Sequence, residues 1–311
     1  MDKLEDKKIL VTGASGFLGK HLVRELRSSG YKRLLTPTHL ELDLLKLPDL
    51  LVYLQVYNPE IIIHLAAKVG GIGANKKYPV EFFKENIQMG LNLLEATKRL
   101  DNLERFLLIG TICSYPKWTP VPFKEESLWD GYPEETNAPY GIAKKALIVL
   151  GQSMRREYNF PFTCLMPVNM YGPEDNFNPE YSHVIPAMIK RFIEAKRANE
   201  GSVTMWGTGH ATREFLYVED SAKGIVSFLP VDYPEPVNLG VGGEISMSNL
   251  AQLIANLLDY KGEILWDSTQ PDGQPRRSLD VSKLRKLTGF TANTILEEGL
   301  LKTIHWYKGS L

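Results

Sequence analysis

Lys8-Ile9-Leu10-Val11-Thr12-Gly13-Ala14-Ser15-Gly16-Phe17-Leu18-Gly19 decides the fold of this chain. Lys8 to Thr12 is a short, largely apolar run and reads as a buried strand. A helical pattern follows the glycines and continues to about Ser28. Between strand and helix the glycines fall as G-x-x-G-x-x-G. Glycine permits a tight turn and lets the backbone approach a pyrophosphate, whose charge then meets the helix N-terminus. The spacing departs by one residue from G-x-G-x-x-G, but the context is the required one, a strand before and a helix after. Gly13, Ala14, Ser15, Gly16, Phe17, Leu18 and Gly19 are therefore the candidate dinucleotide-binding turn.

Outward from that turn the chain alternates. Residues 33–38 read as a second strand, 47–56 as a helix and 60–66 as a strand. A helix over 80–100, a strand over 105–110, a helix over 140–158 and a strand over 162–167 continue the order. Such alternation implies parallel βαβ units, and hence an α/β fold with a doubly wound parallel sheet of the Rossmann kind. After Tyr171, Pro, Asn, Asp and Trp become frequent and regular structure intermittent. Helices are expected over 184–197, 220–228, 246–258 and 296–307, with a short strand over 236–239. Residues 1–171 are thus expected to be mainly the dinucleotide-binding domain. Residues 172–311 are expected to be mainly a smaller C-terminal substrate-binding lobe, with some chain crossing back to the sheet. That lobe should pack over the carboxyl edge of the sheet, where such folds bind ligands.

Composition narrows the function classes. The 311 residues carry a formal net charge of -1, and 43% are hydrophobic. That balance suits a large buried core and gives no reason to expect nucleic acid or a membrane surface as partner. Two cysteines, Cys113 and Cys164, are too few for a disulfide framework and fit a reducing cytoplasm. The segment Met1 to Lys8 is charged and has no apolar signal region, and no apolar run is long enough to span a bilayer. No His/Cys/Asp cluster has metal-ligand spacing, so no metal is expected.

Asn137-Ala138-Pro139-Tyr140-Gly141-Ile142-Ala143-Lys144 places a tyrosine and a lysine four residues apart where a helix should begin. On a helix those side chains share a face. An ammonium beside the phenol favours phenolate, so the expectation is a Tyr140 pKa drawn down toward working pH by Lys144. Such a pair suits proton transfer at a carbonyl being reduced or an alcohol being oxidised. The residues near the end of the second strand, Thr36-Pro37-Thr38-His39, include neither the acid common in NAD enzymes nor the arginine common in NADP enzymes. No carboxylate there would repel a 2′-phosphate, and Lys20, Arg33 or His39 can reach it. NADP(H) is expected, with NAD(H) as the alternative.

Further motifs occur in a fixed order. They are His64-Leu65-Ala66-Ala67-Lys68-Val69-Gly70-Gly71-Ile72-Gly73-Ala74-Asn75, Cys113-Ser114-Tyr115-Pro116-Lys117, and Tyr171-Gly172-Pro173-Glu174-Asp175-Asn176-Phe177 with Ser182-His183-Val184. Trp206-Gly207-Thr208-Gly209, Arg213-Glu214-Phe215 and Gln270-Pro271-Asp272-Gly273-Gln274-Pro275-Arg276-Arg277 complete the set. Over nearly its whole length the chain resembles the extended short-chain dehydrogenase/reductase family. Within it, the resemblance is to members that act as 3,5-epimerase and 4-reductase on GDP-4-keto-6-deoxymannose, giving GDP-L-fucose.

The resemblance implies that Cys113 and His183 exchange protons at C3 and C5 of a 4-keto sugar, whose C–H bonds there are acidified. A thiol or a histidine is chemically suited to that work. It implies that Tyr140 protonates the C4 oxygen as hydride arrives from the nicotinamide, and that Lys144 also binds the nicotinamide ribose. Thr111 stands where the family usually has serine. Its hydroxyl can still bond the C4 oxygen, but its methyl crowds that site. Asp43, Leu65, Ala66, Ala67, Pro167, Asn169, Met170 and His183 join the glycine turn as implied cofactor contacts. Asn169, Arg191, Trp206, Arg213 and Asp272 are the implied nucleotide-sugar contacts. A homodimer paired through the helices over 80–100 and 140–158 is also implied. Two alternatives stay open. One is an NAD-dependent epimerase, 4-dehydrogenase or 4-reductase acting on another GDP-sugar. The other is a non-catalytic dinucleotide sensor on the same fold. Cys164 reads as structural, His64 as a strand residue near the cofactor, and Trp118 and Trp129 as either sugar-site or loop-packing residues.

Overall fold

The computed structural model describes residues 4–270 and 272–311. Met1, Asp2 and Lys3 of the charged N-terminal segment, and Pro271 of the last motif, lie outside the described residues. The first half runs β1 (Ile9–Thr12), α1 (Phe17–Ser28), β2 (Leu34–Leu35), α2 (Leu47–Tyr57), β3 (Ile61–His64), α3 (Ile72–Lys77), α4 (Pro79–Thr97), β4 (Arg105–Ile109), α5 (Ala138–Tyr158) and β5 (Phe162–Pro167). All of β1 and β3 is buried, as are four of the five residues of β4 and all of β5, the burial of a parallel sheet covered on both faces. Each fully buried Ile or Leu of these strands contributes roughly 1.5–3 kcal/mol.

The second half runs β6 (Asn169–Tyr171), α6 (Val184–Ala198), β7 (Ser202–Trp206), β8 (Thr212–Arg213), β9 (Phe215–Tyr217), α7 (Val218–Phe228), β10 (Val237–Leu239), β11 (Ile245–Ser246), α8 (Met247–Leu257), β12 (Glu263–Asp267), β13 (Arg276–Arg277), α9 (Ser282–Thr288) and α10 (Leu296–Gly309). β10 returns to the large sheet, whose six parallel strands stand in the order β10-β5-β4-β3-β1-β2. A second apolar core gathers Tyr171, Ile189 and Phe192 with Leu250, Ile254, Leu300 and Ile304. It ties α6, α8 and α10 to the short strands around them.

The sheet is the doubly wound one expected, and its main helices fall close to the expected places. The second strand is shorter than the 33–38 expected, and the reason is local. β2 is an edge strand held through Ile9 and Leu10 of β1, Pro37 cannot donate to a ladder, and the Thr38 amide is taken by the Glu41 carboxylate at 2.7 Å. Strands β6 to β9 and β11 to β13 are not read from the sequence because all gain their partners only across the fold, and all but β7 and β12 are two or three residues long. β13, for example, pairs with β8, setting Arg277 opposite Arg213.

Candidate active site

The sheet order reverses at β1, which has β2 on one side and β3 on the other. A reversal of this kind opens a crevice at the carboxyl ends of the strands. The Gly13–Gly19 turn leaves β1 at that place, and Leu65, Ala66 and Ala67 leave β3 beside it. Gly13 has φ +75°, and a Cβ on it would come within 2.7 Å of the Ala66 nitrogen. A side chain there would be strained and would push the two loops apart. Thr12 latches the same loops: its hydroxyl accepts from the Ala66 amide at 3.4 Å and lies 2.8 Å from His64 Nδ1. Gly16 caps α1 without a side-chain hydrogen bond, so the first-turn amides and the helix dipole are free to meet an anion. This backbone-built cradle fits a dinucleotide pyrophosphate.

Beside the cradle lies a cavity of about 340 Å³ whose lining includes Ser15, Lys20, Arg24, Arg27 and Thr36. Three cations at i, i+4 and i+7 of α1 thus face the end of β2. The Glu174 carboxylate pairs with Lys20 at 3.4 Å and with Arg24. Of the three groups expected to reach a 2′-phosphate, only Lys20 lines this cavity. Arg33 donates to the Asp6 carbonyl at 3.2 Å, and His39 is exposed, 3.9 Å from Asp43. Glu41 is turned onto Thr38, and Asp43 accepts from the Leu45 amide at 3.0 Å.

Thr111 and Cys113 follow β4 in a short turn, Ile112–Ser114, which the Thr111 hydroxyl caps by accepting the Cys113 amide at 3.2 Å. That turn lies directly on α5. A Cβ on Gly141 would come within 2.3 Å of the Cys113 carbonyl oxygen, and the Ser114 hydroxyl donates to the Gly141 carbonyl at 2.9 Å. Glycine at 141 is therefore what lets the cysteine turn rest one residue from Tyr140. Pro139 in the first turn sets the start of α5, where its missing N–H is not needed.

The Tyr140 pKa is raised, opposite to the expectation. Burial is the main cause, the nearby Cys113 adds to it, and a hydrogen bond from Thr111 opposes it. Lys144 does not supply the expected counter-effect, because its ammonium donates to the Ile109 carbonyl at 3.0 Å. Burial pulls Lys144 down to about 8. The two residues share the helix face, but burial and not the ammonium sets the direction of the Tyr140 shift.

The remaining expected residues separate into two groups. Arg213 is buried on β8 and donates to the carbonyls of Asp272 at 2.9 Å and Thr212 at 2.7 Å. The Asp272 carboxylate accepts from the Thr208 amide at 2.7 Å and from its hydroxyl at 2.8 Å, closing the loop after Trp206. Asn169 donates to the Glu214 carbonyl at 3.2 Å, next to Arg213. Met170 follows it, half-buried, and Pro167 is buried at the end of β5. Trp206 and Arg191 form the outer group. Both are exposed, and Arg191 donates to the Thr204 carbonyl of β7, two residues before Trp206.

His183 is the N-cap of α6 and is exposed. Its Nδ1 stands 4.0 Å from Oδ1 of the buried Asp175. Among the described residues, Asp175 Oδ2 has no hydrogen-bond partner. The segment before His183 is held by the glycines of the His64–Asn75 motif: the Gly71 amide donates to the Tyr181 carbonyl at 3.2 Å, and a Cβ on Gly71 would meet the Ser182 oxygen at 2.5 Å.

Sequence reading passed over Arg277, Glu134 and Asp175. Arg277 is buried, its Nε donates to Gln274 Oε1 at 2.7 Å, and its Nη1 lies 3.6 Å from Cys113 Sγ. Glu134 is buried nearby. Burial would raise its pKa, but hydrogen bonds from Thr136 and Asn137 and the Arg277 charge bring it below its ordinary value. On a strand adjacent side chains face opposite ways, which separates Arg276 from Arg277, but β13 itself is not legible in the sequence. Cys164 is buried within β5, its thiol pushed up to about 12 by burial. His64 is buried with its pKa far below normal, for the same reason. Trp118 and Trp129 are exposed. Among the described residues no group of three or more His, Cys, Asp or Glu side chains can hold a metal ion.

A crossover sheet with a glycine-built anion cradle, and a half-buried tyrosine and cysteine with a buried lysine beside it, defines a class of nucleotide-cofactor enzymes. The NAD dependent epimerase/dehydratase family matches residues 9–240, and the chain belongs to that family. A protein of Oryza sativa subsp. japonica called probable GDP-L-fucose synthase 1 is 41% identical over 98% of this chain and 93% of its own. The GDP-L-colitose synthase of Yersinia pseudotuberculosis is 37% identical over 96% of this chain and 97% of its own. The crystal structure of a GDP-L-fucose synthetase from Naegleria fowleri bound to NADP superposes with a TM-score of 0.89 at 26% identity, covering 100% of this chain and 96% of that one.

Proposed function

We propose that the protein converts a GDP-4-keto-6-deoxyhexose by 3,5-epimerisation and 4-reduction with NADP(H), the reaction named by GDP-L-fucose synthase. The observation that carries this reading is the contact of the Thr111–Ser114 turn with Gly141, which gathers a thiol, a hydroxyl and a phenol at the end of β4. NADP(H), when bound, supplies the hydride. The Gly13–Gly19 turn holds its pyrophosphate, and Lys20 with Arg24 and Arg27 favours a 2′-phosphate. Cys113 and His183 exchange the protons at C3 and C5. Tyr140, kept protonated by burial, gives its proton to the C4 oxygen, and Thr111 bonds that oxygen. Arg213 suits the diphosphate, Asp272 closes the nucleotide-sugar loop through Thr208, and Arg191 and Trp206 stand at the rim.

Residues 1–171 serve mainly the cofactor and 172–311 mainly the sugar nucleotide. Exposed Val80, Phe83 and Leu91 on α4 and Val149 on α5 support a homodimer through these helices. Cys113 and Cys164 as free thiols suit a cytoplasmic setting. Among the described residues no helix is long and apolar enough to cross a membrane. The test is incubation with GDP-4-keto-6-deoxymannose and NADPH in deuterated water. NADPH oxidation with deuterium at C3 and C5 is expected; no NADPH consumption would refute the reductase. Thr111, with its extra methyl beside the C4 position, favours a second reading in which the same steps act on another GDP-4-keto sugar. Product analysis with several such sugars separates the two.

A further inference from the structure

We propose that Arg277 is a positioning residue that holds the Cys113 sulfur as a thiolate, with Gln274 aiming the guanidinium. The inference rests on proton abstraction by Cys113 as proposed above. Arg276 and Arg277 alternate on β13: Arg276 is exposed and pairs with Glu244, while Arg277 points inward and is buried. A buried guanidinium is costly unless an anion or a full set of acceptors meets it. Its neighbour in register on β8 is another buried guanidinium, Arg213. The like charge makes the cost larger, and it adds to burial in pushing down the proton affinity of Arg213.

The groups facing this pair include Cys113, Glu134 and Asp272, and Tyr140 faces Cys113 in turn. Glu134 is already engaged by the Thr136 hydroxyl and the Asn137 amide, each at 2.6 Å. The Asp272 carboxylate is engaged by Thr208. Tyr140 is held in its neutral form by burial. Glu134 and Asp272 place negative charge near this pair, and the sulfur of Cys113, 3.6 Å away, is the reactive atom that Arg277 Nη1 itself reaches. A guanidinium at that distance stabilises a thiolate over a thiol.

Gln274 fixes the geometry. It is buried, and its Nε2 donates to the carbonyls of Pro116 at 3.2 Å and Lys117 at 2.9 Å, in the loop that carries Cys113. With the amide so oriented, Oε1 must accept, and it receives Arg277 Nε at 2.7 Å. The same loop therefore supplies the sulfur and the anchor that points the cation at it.

The test is the rate of iodoacetamide alkylation of Cys113 in the full chain without substrate, followed by intact mass from about pH 5 to about pH 10. Cys113→Ser identifies the signal, since Cys164 is buried. Arg277→Met is expected to move the midpoint of the profile upward by about one pH unit or more, with about a tenfold lower rate at neutral pH. Arg277→Lys should restore most of that loss, and Gln274→Leu should give a smaller upward shift. Superimposable wild-type and Arg277→Met profiles overturn the proposal. So does a change in plateau rate without a change in midpoint, the mark of a merely structural role. If Arg277→Met fails to fold, Gln274→Leu decides: a profile identical to wild type overturns the proposal. A wild-type protein that passes this test yet places no deuterium at C3 or C5 refutes the proposed reaction and leaves the thiolate assignment standing.

Discussion

The side of this site proposed for the cofactor and the side proposed for the sugar are built from different materials. The cradle after β1 is backbone: amides, a glycine at positive φ and a helix end, all within seven consecutive residues. The sugar side is side chains: Cys113 from the turn after β4, Tyr140 from α5, Arg213 from β8 and Arg277 from β13. The first is specified locally and tolerates distant change. The second exists only when the register of β8 against β13 and the contact of the 112–114 turn with α5 are both correct. A backbone site recognises what is common to many ligands, a phosphate. A side-chain site can be specific to one reaction.

The side-chain half divides again between its two half-reactions, and their separate loss is the largest effect expected. Tyr140→Phe is expected to lower NADPH oxidation by about 10³-fold, within the range that positioned proton transfer supplies, while deuterium still enters at C3. Cys113→Ala is expected to remove deuterium entry, by a similar factor. Equal loss of both activities in either variant would break the division. Gly141→Ala should impair both at once and lower stability by roughly 1–3 kcal/mol, because its Cβ meets the Cys113 carbonyl; thermal melts and both assays check this.

Lys144→Met should abolish reduction yet stabilise the fold at neutral pH, on the order of 1–3 kcal/mol. The sign follows from its pKa, lowered to about 8 in the fold against 10.5 free. Below 8 the folded protein bears the full cost of a buried ammonium. Between 8 and 10.5 the unfolded chain binds more protons, so wild-type stability rises with pH and the advantage of the variant shrinks. Melting curves across that window read it. The smallest effect belongs to the cofactor side. Lys20→Ala is expected to weaken NADPH by about tenfold and NADH little, read by fluorescence titration.

What was legible in the sequence follows the same line. The glycine turn, the β–α alternation and the placement of α5 were readable because each is fixed by neighbours in the chain. The lowered Tyr140 pKa was misjudged, because i, i+4 geometry shows proximity but not burial, and burial dominates here. Arg277 was quoted but not singled out. Its partner lies 164 residues away, and only the pairing of β13 with β8 brings it there.

The contact between the Cys113 carbonyl and Gly141 has a consequence for the sugar as well. The group assigned to invert carbon and the group assigned to protonate oxygen hang from one shared backbone junction. A keto sugar that has just been inverted therefore already lies within reach of the phenol. On the proposed reaction its unstable intermediates need never be released to water between steps, and a displacement of the shared junction itself moves both groups at once.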